Sequence, residues 1–154
     1  EGARGDHDAL DASLSQVLVL SPKLVEAVMM LAHSRAQRGN PDGAIEVLEE
    51  GIKRHCATGT CAAQPTPVGA ARLLARCYLD AEKKPARVED LLRQVEGGRD
   101  GKLDWGDHVL WGRLHKQRGN LDGLATSRRA ALQTLPPEFG KMKPEIERLL
   151  RDPL

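Results

Sequence analysis

The chain has 154 residues, enough for one domain or one short repeat array, and its 23 basic residues nearly balance 22 acidic ones, which leaves no bulk field to favour nucleic acid or an anionic membrane. Hydrophobic residues make up 40% and aromatic ones only 3%, so a core has to be built from Leu, Val and Ala at close range. No run approaches the ~18 apolar residues of a membrane span, no charged start with an apolar centre forms a signal peptide, and 3 cysteines are too few for a disulfide scaffold.

Residues 1–6 carry no apolar periodicity and read as unstructured. From Asp8 to Leu20, Leu10, Leu14, Val17 and Leu18 recur at helical spacing, and Ser21-Pro22 should close that helix. A second helix is predicted over residues 22–38, burying Val25, Val28, Leu31 and Ala32. A third, from Pro41 to about Arg54, buries Ala44, Ile45, Leu48 and Ile52. Residues 57–66 are small and turn-prone and read as an inserted loop.

Thr66 is expected to cap a fourth helix with Pro67 at its first position and Leu73, Leu74, Cys77 and Tyr78 turned inward. A fifth helix starts near Pro85, uses Val88, Leu91, Leu92 and Val95, and should stop at Gly97-Gly98. A sixth runs from about Asp104 to Arg118 and a seventh from Leu121 to about Leu135, where Pro136-Pro137 ends it. A short last helix from about Pro144 places Ile146, Leu149 and Leu150 on one side. No segment alternates as a strand would, so the fold class is all-α.

One stretch occurs twice. Gln37-Arg38-Gly39-Asn40-Pro41-Asp42-Gly43 returns as Gln117-Arg118-Gly119-Asn120-Leu121-Asp122-Gly123, differing only at Pro41 against Leu121. Each copy sits where one amphipathic run stops and another begins. The glycine can take the left-handed conformation that ends a helix, the asparagine can cap the next one, and the aspartate places negative charge at the positive end of its dipole. The chain is therefore expected to turn two tight helix-to-helix corners of one design.

This pattern resembles the tetratricopeptide repeat, a helical hairpin of about 34 residues with a W-x2-L-G-x2-Y, A-x3-F and P signature. Leu31-Ala32 take the Leu-Gly place of the first complete unit, and Ala44, Leu48 and Gly51 the small-large-small places of its second helix. Trp111-Gly112, Leu124, Ala131 and Pro136 do the same in the last unit. The middle one matches through Leu74-Ala75, Tyr78, Val88 and Leu92 once a residue is inserted near Lys83-Lys84.

The resemblance implies a right-handed superhelix of antiparallel helix pairs within a single domain, 1–154. It comprises a half-repeat at 7–21, repeats at 22–56, 67–97 and 98–138, the inserted loop at 57–66, and a capping helix at 141–152. The first helix resembles the second half of a preceding unit and the chain opens on Glu1 rather than Met, so the array is expected to begin further upstream. Arg35 and His115 depart from the family by replacing its Tyr. Arg128 stands where a large apolar residue is expected, and it has to snorkel, pair with an acid or face a gap.

Such repeats are docking surfaces, and the resemblance implies a non-catalytic scaffold that binds a peptide or protein along a concave wall lined by the first helix of each pair. The partner-binding residues so implied are Met29, His33, Arg72, Arg76, Leu79, Val109, Arg113 and Lys116. Arg72, Arg76, Arg113 and Lys116 would make that wall basic, suited to an acidic or carboxylate-ended segment, with Met29, Leu79 and Val109 holding apolar side chains. The competing expectation pairs these arginines with the chain's own acids, such as Glu26 and Asp80. Met29 and His33 break the Lys and Asn clamp of the family's chaperone-binding members. An alternative role is that of a structural spacer or self-association segment of a longer repeat protein.

Three alternatives stand for Cys56 and Cys61: a disulfide stapling the inserted loop in an oxidising compartment, two free thiols, or, with His55, part of a zinc site that lacks paired C-x-x-C spacing. The compartment follows from that choice, and no cofactor is expected. Cys77 lies on an apolar face and reads as core. No H-E-x-x-H, phosphate-cradling Gly loop or G-x-S-x-G elbow is present, so no enzyme is expected. Asp104, Asp107 and His108 cluster beside Trp105, and the acids read as helix-start caps.

Overall fold

A computed structural model of the protein describes residues 8–16, 25–55 and 67–153. The tail at 1–6, the close of the first helix near Ser21-Pro22, the inserted loop at 57–66, and the disulfide, thiol and zinc alternatives for Cys56 and Cys61 lie outside the described residues. Those residues form helices and turns, with no strand among them. In order they are α1 at residues 8–16, α2 Val25–Gln37, α3 Pro41–His55, α4 Val68–Asp80, α5 Pro85–Gly98, α6 Trp105–Gln117, α7 Leu121–Thr134, a 3-10 helix Pro137–Met142, and α8 Lys143–Leu149.

Contacts run between neighbours. The helices pack as α2 with α3, α4 with α5 and α6 with α7, while α3 reaches α4 and α5 reaches α6. Along one side α2 also touches α4, and α4 touches α6. Among the described residues the backbones of α3 and α5 stay apart, as do those of α5 and α7, although Glu49 of α3 pairs with Arg87 of α5 at 3.1 Å.

The apolar spacing explains this arrangement, because each helix buries one stripe and leaves the rest to solvent. Leu48 of α3, Leu74 of α4, Leu91 and Leu92 of α5 and Leu114 of α6 are fully buried in one continuous core, each worth ~1.5–3 kcal/mol relative to exposure. Cys77 is a free, buried thiol in the same core, and burial pushes it up to about 11, away from thiolate reactivity. A second cluster of Val109, Leu124, Ala131, Ile146 and Leu150 joins α6, α7 and α8. Leu14 of α1 packs with Ala27 and Leu31 of α2, and Asp11 accepts a hydrogen bond from Ser34 Oγ at 2.9 Å and pairs with Arg38.

Two expectations about element ends are corrected, and a third is extended. Pro67 is not the first helical residue of α4 but precedes it in extended conformation at φ −54 and ψ 133. Gly97-Gly98 does not stop α5, which runs through Gly98. A side chain there would drive its Cβ into Val68 Cγ2, so that glycine serves close helix approach rather than termination. Pro136-Pro137 ends α7 as expected, but the chain then continues directly as a 3-10 helix.

Among the described residues Arg128 neither pairs with an acid nor faces a gap: its Nη1 donates to the carbonyl of Leu150 at 3.2 Å. Lys116 Nζ donates to the carbonyl of Leu149 at 3.3 Å, so two cations satisfy the otherwise open C-terminal end of α8. Gly112 leaves room for that helix, since a Cβ there would stand 2.6 Å from Leu150 Cδ2.

Candidate binding cleft

A cleft of ≈ 800 Å³ opens along the side where α2, α4 and α6 follow one another. Its lining comes from α2 through Met29, Met30 and His33; from α4 through Gly69, Arg72, Leu73, Arg76 and Asp80; and from α6 through Trp105, Gly106, Val109, Leu110 and Arg113. Met142 of the 3-10 helix and Glu145 and Leu149 of α8 close it. Helices α3, α5 and α7 contribute no lining residue.

Six residues singled out from the sequence meet here: Met29, His33, Arg72, Arg76, Val109 and Arg113. Two do not. Leu79 is 5% exposed and belongs to the central core, and Lys116 is turned to the end of α8. The sequence reading missed Met30, Trp105 and Met142. All 3 methionines of the chain line this one cleft, and Met30, at 55% exposure, has no packing role that would explain it. Unbranched, polarizable thioethers adapt their shape to what they touch. The concentration of methionine is visible in the sequence at Met29-Met30, whereas Met142 sits outside any repeat position.

The charges of the cleft are mostly committed. Arg72 Nη1 donates to Asp104 Oδ2 at 3.3 Å and Nη2 to Asp104 Oδ1 at 3.4 Å, and its Nε lies 3.3 Å from Asp107 Oδ1. Arg99, from the link between α5 and α6, meets the same two acids at 3.7 and 3.1 Å. Gly106 leaves the space for this, because a Cβ at that position would collide with the Arg72 guanidinium. Arg113 Nη2 donates to Asp80 Oδ1 at 2.6 Å. Arg76 has no ion-pair or hydrogen-bond partner among the described residues and is exposed. The basic wall expected from the sequence is thus largely neutralised from behind.

The two acids also start α6, as their read role of caps requires. Asp107 N–H donates to Asp104 Oδ1 at 2.9 Å, and Asp104 N–H donates to Asp107 Oδ2 at 3.1 Å, a reciprocal capping box. Burial pushes Asp107 above the ordinary carboxylate value, reinforced by the Asp104 charge and opposed by the Asp104 N–H and the two guanidiniums. Burial would raise Asp104 as well, but the Asp107 N–H and the same guanidiniums hold it below. Asp107 Oδ1 and Arg99 Nε have no hydrogen-bond partner among the described residues, so their contribution is ionic.

Beside Arg76 a side notch of ≈ 50 Å³ is lined by His33, Ala36, Gln37, Leu73, Arg76, Cys77 and Asp80. His33 Nε2 and Gln37 Nε2 lie 2.9 Å apart across its rim. No group of three or more His, Cys, Asp or Glu side chains could hold a metal among the described residues, and none of their helices is long and apolar enough to cross a membrane.

No protein-family model matches the chain, and no curated protein matches it significantly either.

Proposed function

We propose that the chain is a non-catalytic interaction scaffold of the tetratricopeptide type, a right-handed superhelix of helix pairs whose concave wall binds a peptide or a segment of a partner protein. The observation that carries this reading is the parentage of the cleft. Its ≈ 800 Å³ are lined by α2, α4 and α6, the first helix of each pair, and by the closing C-terminal segment alone. An apolar cleft that size with a few polar groups is what peptide and ligand recognition needs.

Peptides selected from a random dodecapeptide phage library should bind the chain and lose at least about tenfold in affinity, or about 1.4 kcal/mol, on Met30→Arg. Gln94→Arg, at an exposed position of α5, should leave binding alone. Peptides that bind wild type and Met30→Arg equally would remove the cleft from the reading.

The spacer or self-association role is favoured by a different observation, the pairing of Arg72 and Arg113 within the chain. A spacer needs no cations free for a guest. Sedimentation would then give a self-association constant indifferent to Met30→Arg, and no peptide family would emerge from the selection.

A further inference from the structure

The chemistry of the guest follows from which charges of the cleft are already spoken for, and rests on the groove reading above. A polyacidic segment would need several free cations to offset the loss of its hydration. Arg72 is held by Asp104 and Asp107, and Arg113 by Asp80 at 2.6 Å, so drawing either toward a guest takes an ion-pair partner from the chain's own carboxylates. Asp107, fully buried, would then keep Arg99 as its ion-pair partner but lose the second guanidinium, a cost that solvent cannot repay inside the chain.

Arg76 is different. It lines both the main cleft and the ≈ 50 Å³ notch and is free of ion pairs among the described residues. A carboxylate is close in size to one or two water molecules, each filling about 30 Å³, and therefore fits the notch. His33 and Gln37 offer polar atoms at its rim. Asp80 shares the notch but has one oxygen engaged by Arg113, which offsets its repulsion of a second carboxylate. The apolar part of the lining includes Met29, Met30, Leu73, Trp105, Val109 and Met142.

We infer that the cleft selects an apolar peptide segment carrying one carboxylate, which enters the notch to pair with Arg76 while Leu-sized or aromatic side chains lie on the methionines. A run of acidic residues is selected against, because among the described residues Arg72 and Arg113 of the cleft are held by the chain's own acids and Arg76 is left alone to offset guest carboxylates.

The test is a random dodecapeptide phage selection run in parallel on wild type, Arg76→Gln and Arg76→Glu, with melting curves to check that each variant folds. Wild type should enrich sequences with several apolar residues and a single Asp or Glu. By fluorescence polarisation, the best of these should weaken at least about tenfold on Arg76→Gln, as loss of a charge-assisted pair requires. Changing the peptide's acid to Lys should restore binding to Arg76→Glu and not to wild type. Enriched peptides that are polyacidic, or that bind Arg76→Gln unchanged, overturn the single-carboxylate inference while leaving the groove in place. Failure of all three proteins to enrich any family overturns the groove itself.

Discussion

The helix joints at Gly39 and Gly119 and the one at Glu82 use the same two backbone bonds to end a helix, yet they reach that geometry by opposite means. Gly39 N–H donates to Ala36 and Asn40 N–H to Arg35; Gly119 N–H donates to Lys116 and Asn120 N–H to His115; Glu82 N–H donates to Leu79 and Lys83 N–H to Tyr78. The residue in the left-handed conformation has φ +74, +71 and +54 respectively, and only the last carries a side chain. The outer joints then cap the next helix through Asn40 and Asn120, whose Oδ1 atoms accept from Gly43 and Gly123 at 2.9 and 3.0 Å. The middle joint offers no cap and adds a second left-handed residue, Lys84 at φ +44.

Magnitudes explain how the middle joint survives. A side chain in the left-handed region costs about 1–2 kcal/mol per residue, so Glu82 and Lys84 together cost a few kcal/mol. On its far side Val88, Leu91, Leu92 and Val95 of α5 are fully buried, at ~1.5–3 kcal/mol each for the larger ones. Packing wins. A clamp brackets the strained turn as well: Glu49 of α3 accepts from Tyr78 Oη at 2.7 Å on one side and from Arg87 Nε at 3.1 Å on the other. The outer joints are fixed by local chemistry, and the middle one by what surrounds it.

The sharpest way to break this contrast is to give the outer joints a side chain. Gly119→Val should cost about 2 kcal/mol, and Gly39→Val a similar amount, from backbone strain alone. Nothing lies within 4 Å of a Cβ built at either position, so a steric clash is not the cause. Urea unfolding with an unchanged slope measures it, and a loss under about 0.5 kcal/mol would mean that the neighbouring helices hold these corners too. Next in size, Asn40→Ala and Asn120→Ala should each cost about 1 kcal/mol by removing the cap. Asn120 also meets His115 Nδ1 at 3.3 Å, so its replacement should be the more damaging of the two.

The same contrast decides what the sequence made legible. Gly-Asn corners announce themselves through residues chosen for their backbone angles, and α2, α3, α6 and α7 were placed from them with small errors at the ends. The middle joint, with Glu and Lys at left-handed positions, leaves no such mark and showed only as an extra residue near Lys83-Lys84. In the cleft, the repeat positions implied by the resemblance brought out Met29, Arg76 and Val109, since position in a repeat fixes direction. It could not show that Asp104 and Asp107 reach Arg72, a pairing set by how α4 packs on α6, or that α8 draws Lys116 away. Arg128 looked anomalous for the same reason, because its acceptor is a carbonyl and carbonyls carry no sequence signature.

The clamp beside the middle joint gives the comparison a pH axis. Burial alone would raise Glu49, but hydrogen bonds from Arg87 and Tyr78 outweigh it and hold the carboxyl below its ordinary 4.5. A depressed acid adds stability above its unfolded value and loses it as pH falls through its folded one. Glu49→Gln should therefore melt below wild type at pH 7, with the gap closing as the pH is lowered past 4.5. Burial and the Glu49 acceptor push Tyr78 from 10 up to about 12, so wild-type stability should fall as pH climbs across that interval, and Tyr78→Phe should flatten this limb. Asn120→Ala, far from the clamp, should show the same offset at every pH. An offset that tracked the Glu49 titration would mean that the joints are not independent.

The smallest effect is the reverse substitution. Glu82→Gly removes the left-handed penalty but returns conformational freedom to the unfolded chain, so the net gain should be about 0.5 kcal/mol. Lys84→Gly should gain less, because it also forfeits the ammonium held 6.0 Å from the centre of the Tyr78 ring. A shift of the urea midpoint to higher concentration for Glu82→Gly, set beside a shift to lower concentration for Gly119→Glu, would place the same residue pair on opposite sides of zero at equivalent positions. Should Glu82→Gly instead lose stability, the middle joint is not strained, and the clamp around it must act for some purpose other than holding an unfavourable turn.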